Sequence, residues 1–310
     1  MEISLLGIEC VSLKQFKQKG KQMKVLSLFD GISCGMVALE RAGIPVERYV
    51  AYEIEPNAIK ISEKNYPQIE HCGDVTTADF TQYKGFDLLI GGSPCQSLSI
   101  IQSKTRLNLD GKSKLFFEYL RAKEEMQPKY FLLENVVSMK DECKQVISEL
   151  LGCEPIFINS GDFSAQQRPR YYWTNIPVAN YYPSKLVLKD IMQSNIEEKY
   201  FYSCSFDEPD MTKQVCTNLH IKGHDIIKRV LNPDFKCHTL TTCSGGNTQK
   251  KVMDNGRPRK LTPVEYERLQ TLPDDYTAGV PNTARYTALG NGWTVDVIAH
   301  ILRGLNVSVC

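Results

Sequence analysis

The sequence predicts an α/β fold with a mostly parallel sheet of the nucleotide-binding type, joined to a smaller, loop-rich unit. Three observations carry that expectation. Val25-Leu26-Ser27-Leu28-Phe29 is a buried-strand pattern that runs into Asp30-Gly31-Ile32-Ser33-Cys34-Gly35 and then into a helical stretch over 36–42 closed by Gly43, the strand, glycine turn, helix opening of such folds. Phe86-Asp87-Leu88-Leu89-Ile90 is a second short apolar run, punctuated by Gly91-Gly92-Ser93-Pro94-Cys95-Gln96. From about 178 to 282 the periodicity fades, polar residues are frequent, and β-like pieces such as Thr239-Leu240-Thr241-Thr242 are short.

Composition bounds the reading. A chain of 310 residues holds one large domain or a large and a small one, and 42% hydrophobic with 24% charged residues is ordinary for a globular protein. No apolar run approaches a membrane span and no secretory signal opens the chain, so a cytoplasmic protein without membrane association is expected. The 11 cysteines are odd in number and include no C-x-x-C, which argues against a disulfide framework or a zinc site and for reduced thiols. A net charge of +1 does not announce a nucleic-acid partner. Two basic segments stand out locally: Lys104, Arg106, Lys112 and Lys114, then Lys250, Lys251, Arg257, Arg259 and Lys260. A solvated surface is the usual fate of such runs, and tracking a phosphate backbone is the alternative.

Residues 1–22 carry four lysines and no recognisable chemistry, and are expected to form an extension ahead of the first strand. The glycine turn after that strand is spaced G-x-x-x-G, with neither the dinucleotide fingerprint nor a P-loop lysine. A cofactor with an adenosine but no pyrophosphate suits this looser loop, and a plain βα turn explains it equally well. The second strand, Tyr49-Val50-Ala51-Tyr52, ends at Glu53, where doubly wound folds bind ribose hydroxyls. After a helix over 56–65, Gly73-Asp74-Val75 places an acid to meet an adenine amino group. Singly, each acid is an ordinary solvated loop end; together they outline an adenosine pocket. Cys95 sits beyond a strand end, followed by a long basic loop placed to act as a lid and by a helix over 115–123. Tyr130-Phe131-Leu132-Leu133 predicts a further strand ending in Glu134-Asn135-Val136, so Glu134 and Cys95 share one pocket mouth. Pro155-Ile156-Phe157-Ile158-Asn159 and Tyr171-Tyr172-Trp173 predict a ribbon around Gln166-Gln167-Arg168-Pro169-Arg170. Thr262-Pro263-Val264-Glu265 is a capping box that starts a helix to Gln270, and Leu289-Gly290-Asn291-Gly292-Trp293 leads into an apolar helix over 295–305 that packs back on the first domain.

In that order of blocks, from about Met23 onward, the chain resembles the DNA (cytosine-5)-methyltransferases. Phe29-Asp30-Gly31-x-x-x-Gly35 is similar to the family's S-adenosylmethionine loop, Glu53 and Asp74 to its ribose and adenine acids, Pro94-Cys95-Gln96 to its nucleophile turn, and Glu134-Asn135-Val136 and Gln166-x-Arg168-x-Arg170 to its next two blocks. Arg268-Leu269-Gln270 and Gly290-Asn291-Gly292 are similar to its closing blocks. Gly-Gly-Ser-Pro-Cys, Leu-Phe-Phe-Glu and Glu-Asn-Val-Val resemble the animal de novo enzymes, whereas the bare layout resembles a bacterial or phage enzyme. Lys112-Ser113-Lys114 departs from the Asp-Ser-Arg-Gly of many bacterial members.

The resemblance implies a Rossmann-like methyltransferase domain over 23–178, a target-recognition domain over 179–282 and a returning segment over 283–310. It implies S-adenosyl-L-methionine held by Phe29, Asp30, Gly31, Ile32, Gly35, Glu53, Ile54, Asp74, Val75, Pro94 and Asn291, with no metal. Cys95 is then the nucleophile, Glu134 the group at N3 and the exocyclic amine, Arg168 the orienter of Glu134 or the base carbonyl, and Arg170 a positioner of the ring and nucleophile. Gln96, Ser99, Thr239 and Leu240 are expected at double-stranded DNA around a flipped cytosine. The implied enzyme is a monomer and leaves room for a separate restriction endonuclease. An RNA cytosine methyltransferase and a catalytically silent DNA-binding relative are the rivals; Arg285-Tyr286-Thr287, where the tRNA-specific branch carries Cys-Phe-Thr, counts against the first.

Overall fold

The structure is a computed structural model that describes residues 22–93, 114–243 and 247–307. Its centre is a seven-stranded sheet of β1 (Met23–Leu28), β2 (Val46–Tyr52), β3 (Glu70–His71), β4 (Leu88–Gly91), β5 (Tyr130–Val136), β6 (Ile156–Asn159) and β7 (Pro169–Thr174), ordered β3-β2-β1-β4-β5-β7-β6. All pairs are parallel except those made by β7, which runs against both β5 and β6.

The central strands are apolar throughout because both of their faces are covered. Successive residues point to opposite faces of a strand. Val25, Tyr49, Ala51, Leu88, Ile90 and Leu132 accordingly enter one buried cluster, while Leu26, Leu28, Val50, Tyr52, Leu89, Phe131 and Leu133 enter another. The first cluster receives α1 (Cys34–Arg41), α2 (Pro56–Asn65) and the late helix α8 (Val295–Leu302); the second receives α3 (Lys114–Met126) and α4 (Asp141–Leu151). From β1 the chain crosses to β2 on one side, and from β4 to β5 on the other. Strand order therefore reverses between β1 and β4, the crevice where doubly wound sheets bind ligands.

The remainder differs from the loop-rich expectation in one respect. A second, four-stranded sheet is built from β8 (Val215–Asn218), β9 (Arg229–Leu231), β10 (Lys251–Asp254) and β11 (Arg257–Lys260), ordered β11-β10-β9-β8. The β10–β11 hairpin turns at Asn255 and Gly256, both with positive φ, an Asn-Gly turn that the sequence reading did not single out. Thr239-Leu240-Thr241-Thr242 forms no strand. The short helix α5 (Asp225–Lys228) leads into β9.

Three more helices close the chain: α6 (Pro263–Leu269), α7 (Asn282–Asn291), and α9 (Gly304–Val307) after α8. The capping box forms as the sequence predicts, with the Glu265 amide donating to Thr262 Oγ1 at 3.2 Å and the Thr262 amide donating to Glu265 Oε2 at 2.8 Å. Helix α7 lies against the backbone of 241–242 so tightly that a Cβ on Gly290 would sit 2.5 Å from the Thr241 carbonyl. Only glycine permits that approach.

Candidate active site

The loop after β1 is the first wall of the crevice. Phe29, Gly31 and Ser33 all take positive φ, folding the chain tightly before α1. Asp30 is anchored from behind, its Oδ1 accepting from the Tyr49 hydroxyl at 2.6 Å and its Oδ2 from the Ser33 hydroxyl at 2.5 Å. Burial and the Asp30 charge push the Tyr49 phenol well above its ordinary value, so it stays a donor. Gly35 has no room for a side chain, since a Cβ there would collide with Ile90 and stand 2.8 Å from the Tyr49 hydroxyl.

Glu53, at the end of β2, joins this loop to the next. Its Oε2 accepts from the Gly31 amide at 2.8 Å, and its Oε1 from the amides of Ile54 at 2.8 Å and Glu55 at 2.9 Å. A carboxylate has about four acceptor sites, so one remains on Oε2 for a hydroxyl. Ile54 beside it is 70% exposed, an apolar side chain held in water between two acids. Asp74 caps the turn Val75–Thr77 with Oδ1, which accepts from the amide and hydroxyl of Thr76; those bonds hold it below the usual carboxylate range and leave Oδ2 without a partner among the described residues. An exposed apolar seat flanked by two oriented acceptors fits an adenosine. Ile32 and Val75 are 1% and 5% exposed and belong to the two cores, so their side chains offer no surface to a cofactor. Asn291 is exposed at the end of α7. Pro94, Cys95, Gln96 and Ser99 lie outside the described residues.

Glu134 forms the second wall, buried at the end of β5. The β5–β7 register places Glu134 opposite Tyr172 and Val136 opposite Arg170. Arg170 is thus the diagonal neighbour of Glu134 on the same face. Its Nε lies 2.6 Å from Glu134 Oε1, while the indole N–H of Trp293 donates to Oε2 at 3.3 Å. Gly92, just past β4, packs against that pair; a Cβ there would stand 2.9 Å from Trp293 Nε1 and 3.1 Å from Glu134 Oε2. Asn135 ties the two strand ends together, donating to the Ser93 carbonyl at 3.3 Å and to its hydroxyl oxygen at 3.2 Å.

The expectation that Arg168 orients Glu134 is corrected. Its guanidinium does not pair with Glu134. It is buried and donates to the carbonyls of Leu240 at 2.9 Å, Gly290 at 3.0 Å and Gly292 at 3.0 Å. Burial, with the Arg170 charge beside it, lowers its pKa to about 10, which keeps it charged at neutral pH. Leu240 is corrected with it. At 1% exposure its side chain is core, its amide donates to Gln166 Oε1 at 2.8 Å and its carbonyl is held by Arg168, so it offers no side-chain surface to a nucleic acid. Thr239 is half-buried and its hydroxyl donates to the Gln167 carbonyl at 2.7 Å.

Three residues of this site were not singled out from the sequence. Trp293 orients Glu134, and Gln166 and Gln270 form a buried amide pair at 3.1 Å that also grips the carbonyls of Leu269, Leu289 and Gly292. Their signal was their place inside or beside the quoted blocks. Among the described cysteines, burial pushes Cys34 and Cys237 up to about 12, so neither is a nucleophile at neutral pH.

Comparison with known proteins gives the chain its family. The family model for C-5 cytosine-specific DNA methylase matches residues 23–306. The type II methyltransferase M1.ScrFI of Lactococcus lactis subsp. cremoris is 29% identical over 306 residues, covering 91% of this chain and 77% of that protein. The type II methyltransferase M.Eco47II of Escherichia coli is 28% identical over 342 residues, covering 91% and 80%. Among solved structures, the Entamoeba histolytica methyltransferase EhMeth superposes with a TM-score of 0.72 at 18% identity over 94% of this chain and 100% of that one, a likeness of fold alone. The S. pombe Dnmt2 methyltransferase gives 0.69 at 20% identity over 92% and 100%. With nearly the whole chain inside the family model, the protein belongs to the C-5 cytosine-specific DNA methylases and is a DNA (cytosine-5-)-methyltransferase.

Proposed function

We propose that this enzyme methylates carbon 5 of a cytosine flipped out of double-stranded DNA, through a covalent adduct with Cys95. The observation that carries the reading is the carboxylate of Glu134, held by Arg170 on one oxygen and by the Trp293 indole on the other, at the mouth of the β1/β4 crevice. Carbon 5 of cytosine is a weak nucleophile. A thiolate adding at carbon 6 moves the ring's electron pair towards carbon 5, which then takes the methyl group. Loss of the carbon-5 proton to solvent returns the electrons to the C5–C6 bond and expels the thiolate. Glu134 would meet N3 and the exocyclic amine and stabilise the proton gained at N3 as the adduct forms. Arg170 fixes that carboxylate, and Arg168 fixes the chain segments around it.

When bound, S-adenosylmethionine supplies an electrophilic methyl group on a sulfonium. Glu53 would accept from its ribose, Asp74 Oδ2 from its adenine amine, and Ile54 would cover the adenine face. Residues 23–178 would act as the catalytic domain, 179–282 as the target-recognition domain and 283–310 as the returning segment. Gln96 and Ser99 would fill the gap left by the flipped base, whose extraction costs a few kcal/mol. Thr239 would sit on the backbone beside it.

The test is methyl transfer to duplex DNA, read base by base, alongside S-adenosylmethionine binding. Cys95→Ala should abolish product and Glu134→Gln should lower it at least ~100-fold, both with cofactor affinity retained. A duplex carrying 5-fluorocytosine should trap a covalent complex, because carbon 5 then has no proton to lose. Normal methylation by Cys95→Ala would refute the mechanism, and product on RNA alone would refute the substrate.

A further inference from the structure

The basic segment at 250–260 is mostly architectural. Arg257 pairs with Glu198, and Arg259 is fully buried between Asp254 and Glu265. Lys251 is buried with its ammonium on the carbonyls of Asn247 at 2.6 Å and Gln249 at 3.0 Å, and Lys260 stands over the Tyr202 ring. Lys250 is the exception. Its ammonium makes no hydrogen bond or ion pair among the described residues.

Arg229 is the same kind of exception among the arginines. Arg41, Arg48, Arg121, Arg257, Arg268 and Arg285 are each paired with a carboxylate; among the described residues the exposed guanidinium of Arg303, after α8, is paired with none, and neither is the exposed guanidinium of Arg229. It lines an open cavity of about 640 Å³ whose acids, Asp207 and Asp225, are engaged by His220 and Lys228.

The register brings the two exceptions together. Strands β9 and β10 run parallel with Leu231 opposite Val252, which sets Arg229 at the start of β9 and Lys250 just ahead of β10 at the same end of the sheet. Like charges side by side destabilise a sheet. His238 joins them. It is half-buried, its ring makes no hydrogen bond among the described residues, and the charged groups that act on it are Lys250 and Arg229. His238 also directly precedes Thr239 and Leu240, the segment whose carbonyl Arg168 holds two residues from the Arg170–Glu134 pair.

We propose that Arg229, His238 and Lys250 form a phosphate grip that holds the DNA backbone at the rim of the active site. Two cations and an unpartnered imidazole, beside acids already engaged by His220 and Lys228, form a cradle for an anion, and the substrate of the proposed reaction is a polyanion. The inference rests on the duplex-DNA reading and assigns that substrate's contact to these residues. His238 donates from both ring nitrogens only when protonated. Burial and the two neighbouring cations hold its pKa below the ordinary value, and a phosphate oxygen between the three would reverse the second influence.

The experiment measures binding of a fluorescent duplex and methyl transfer to it, over a series of salt concentrations, for the wild-type chain, Arg229→Gln/Lys250→Gln and His238→Gln. Each phosphate contact contributes about 0.9 to the slope of log affinity against log salt, so the double variant should lose ~1.8 from that slope. The DNA KM should rise at least ~10-fold, with S-adenosylmethionine affinity at the wild-type value. Wild-type duplex affinity should rise as pH falls from 8 to 6, and His238→Gln should remove that rise. An unchanged salt slope in the double variant would overturn the grip, and a pH dependence that survives His238→Gln would remove His238 from it. Salt-dependent binding without methyl transfer would leave the grip standing and sink the proposed function. Absence of duplex binding by the wild-type chain would sink both.

Discussion

Arg168 separates a structural from a catalytic reading of one block, and Arg168→Met tests the difference. The guanidinium holds three carbonyls, of Leu240, Gly290 and Gly292, within an almost dry environment. Methionine preserves much of the length and apolar volume but removes every donor. A buried acceptor left without its donor costs about 1–3 kcal/mol. Relief from burying a guanidinium offsets part of that loss, leaving a net destabilisation on the order of 3 kcal/mol. At about 2–4 °C per kcal/mol, the melting temperature should fall by ~6–12 °C. The assay is thermal and urea unfolding beside methyl-transfer kinetics at a temperature where the variant is folded. Arg168→Lys should recover part of the stability, since an ammonium reaches some of the carbonyls but lacks the planar fork. A variant that unfolded within ~2 °C of wild type yet had lost its kcat would refute this reasoning and return Arg168 to the reacting base.

Two further outcomes follow from the same contacts. Gly92→Ala pushes a methyl group against Trp293 Nε1 and Glu134 Oε2, so methyl transfer should fall ~100-fold, the scale of an ångström's misplacement, while cofactor binding measured by calorimetry stays unchanged. Lys251, pushed down to about 8 by burial and by its neighbours Lys260 and Lys250, binds its proton less tightly folded than unfolded, where Lys titrates near 10.4. Between those values the unfolded chain carries more protons, so stability rises with pH. Urea midpoints at several pH values should move in favour of wild type over Lys251→Met as pH climbs from 7 to 10; a constant difference would contradict the assignment.

The sheet was legible because its strands obey a simple rule. Strands covered on both faces must be apolar at every position, and Leu88-Leu89-Ile90 and Phe131-Leu132-Leu133 are. The acids at their ends were legible for the same reason, since an apolar run that stops at Glu53 or Glu134 marks where the strand reaches the crevice. The second sheet was harder to see. Arg257-Pro258-Arg259-Lys260 has no apolar alternation, and β11 exists because Arg259 finds Asp254 and Glu265, a pairing that only the fold reveals. The roles of Arg168 and Arg170 were equally hidden. In Arg-x-Arg both side chains share a face, and only the β5–β7 register makes Arg170 the diagonal neighbour of Glu134.

That arrangement explains why blocks so far apart in the chain belong to one site. Gln166 touches Leu240, Leu269 and Gln270; Gln270 touches Leu289, Gly292 and Thr294; Arg168 touches Leu240, Gly290 and Gly292. None of these contacts touches Glu134. They fix instead the start of the segment that carries Trp293, whose indole does. Buried polar networks of this kind are costly when half satisfied and rigid when complete. The same network holds Leu240 on the far side, two residues from His238. A carboxylate placed by one end of the bracket and a cationic cradle placed by the other are therefore set at a fixed spacing, as an enzyme needs if it must hold a backbone phosphate and a displaced base at the same time.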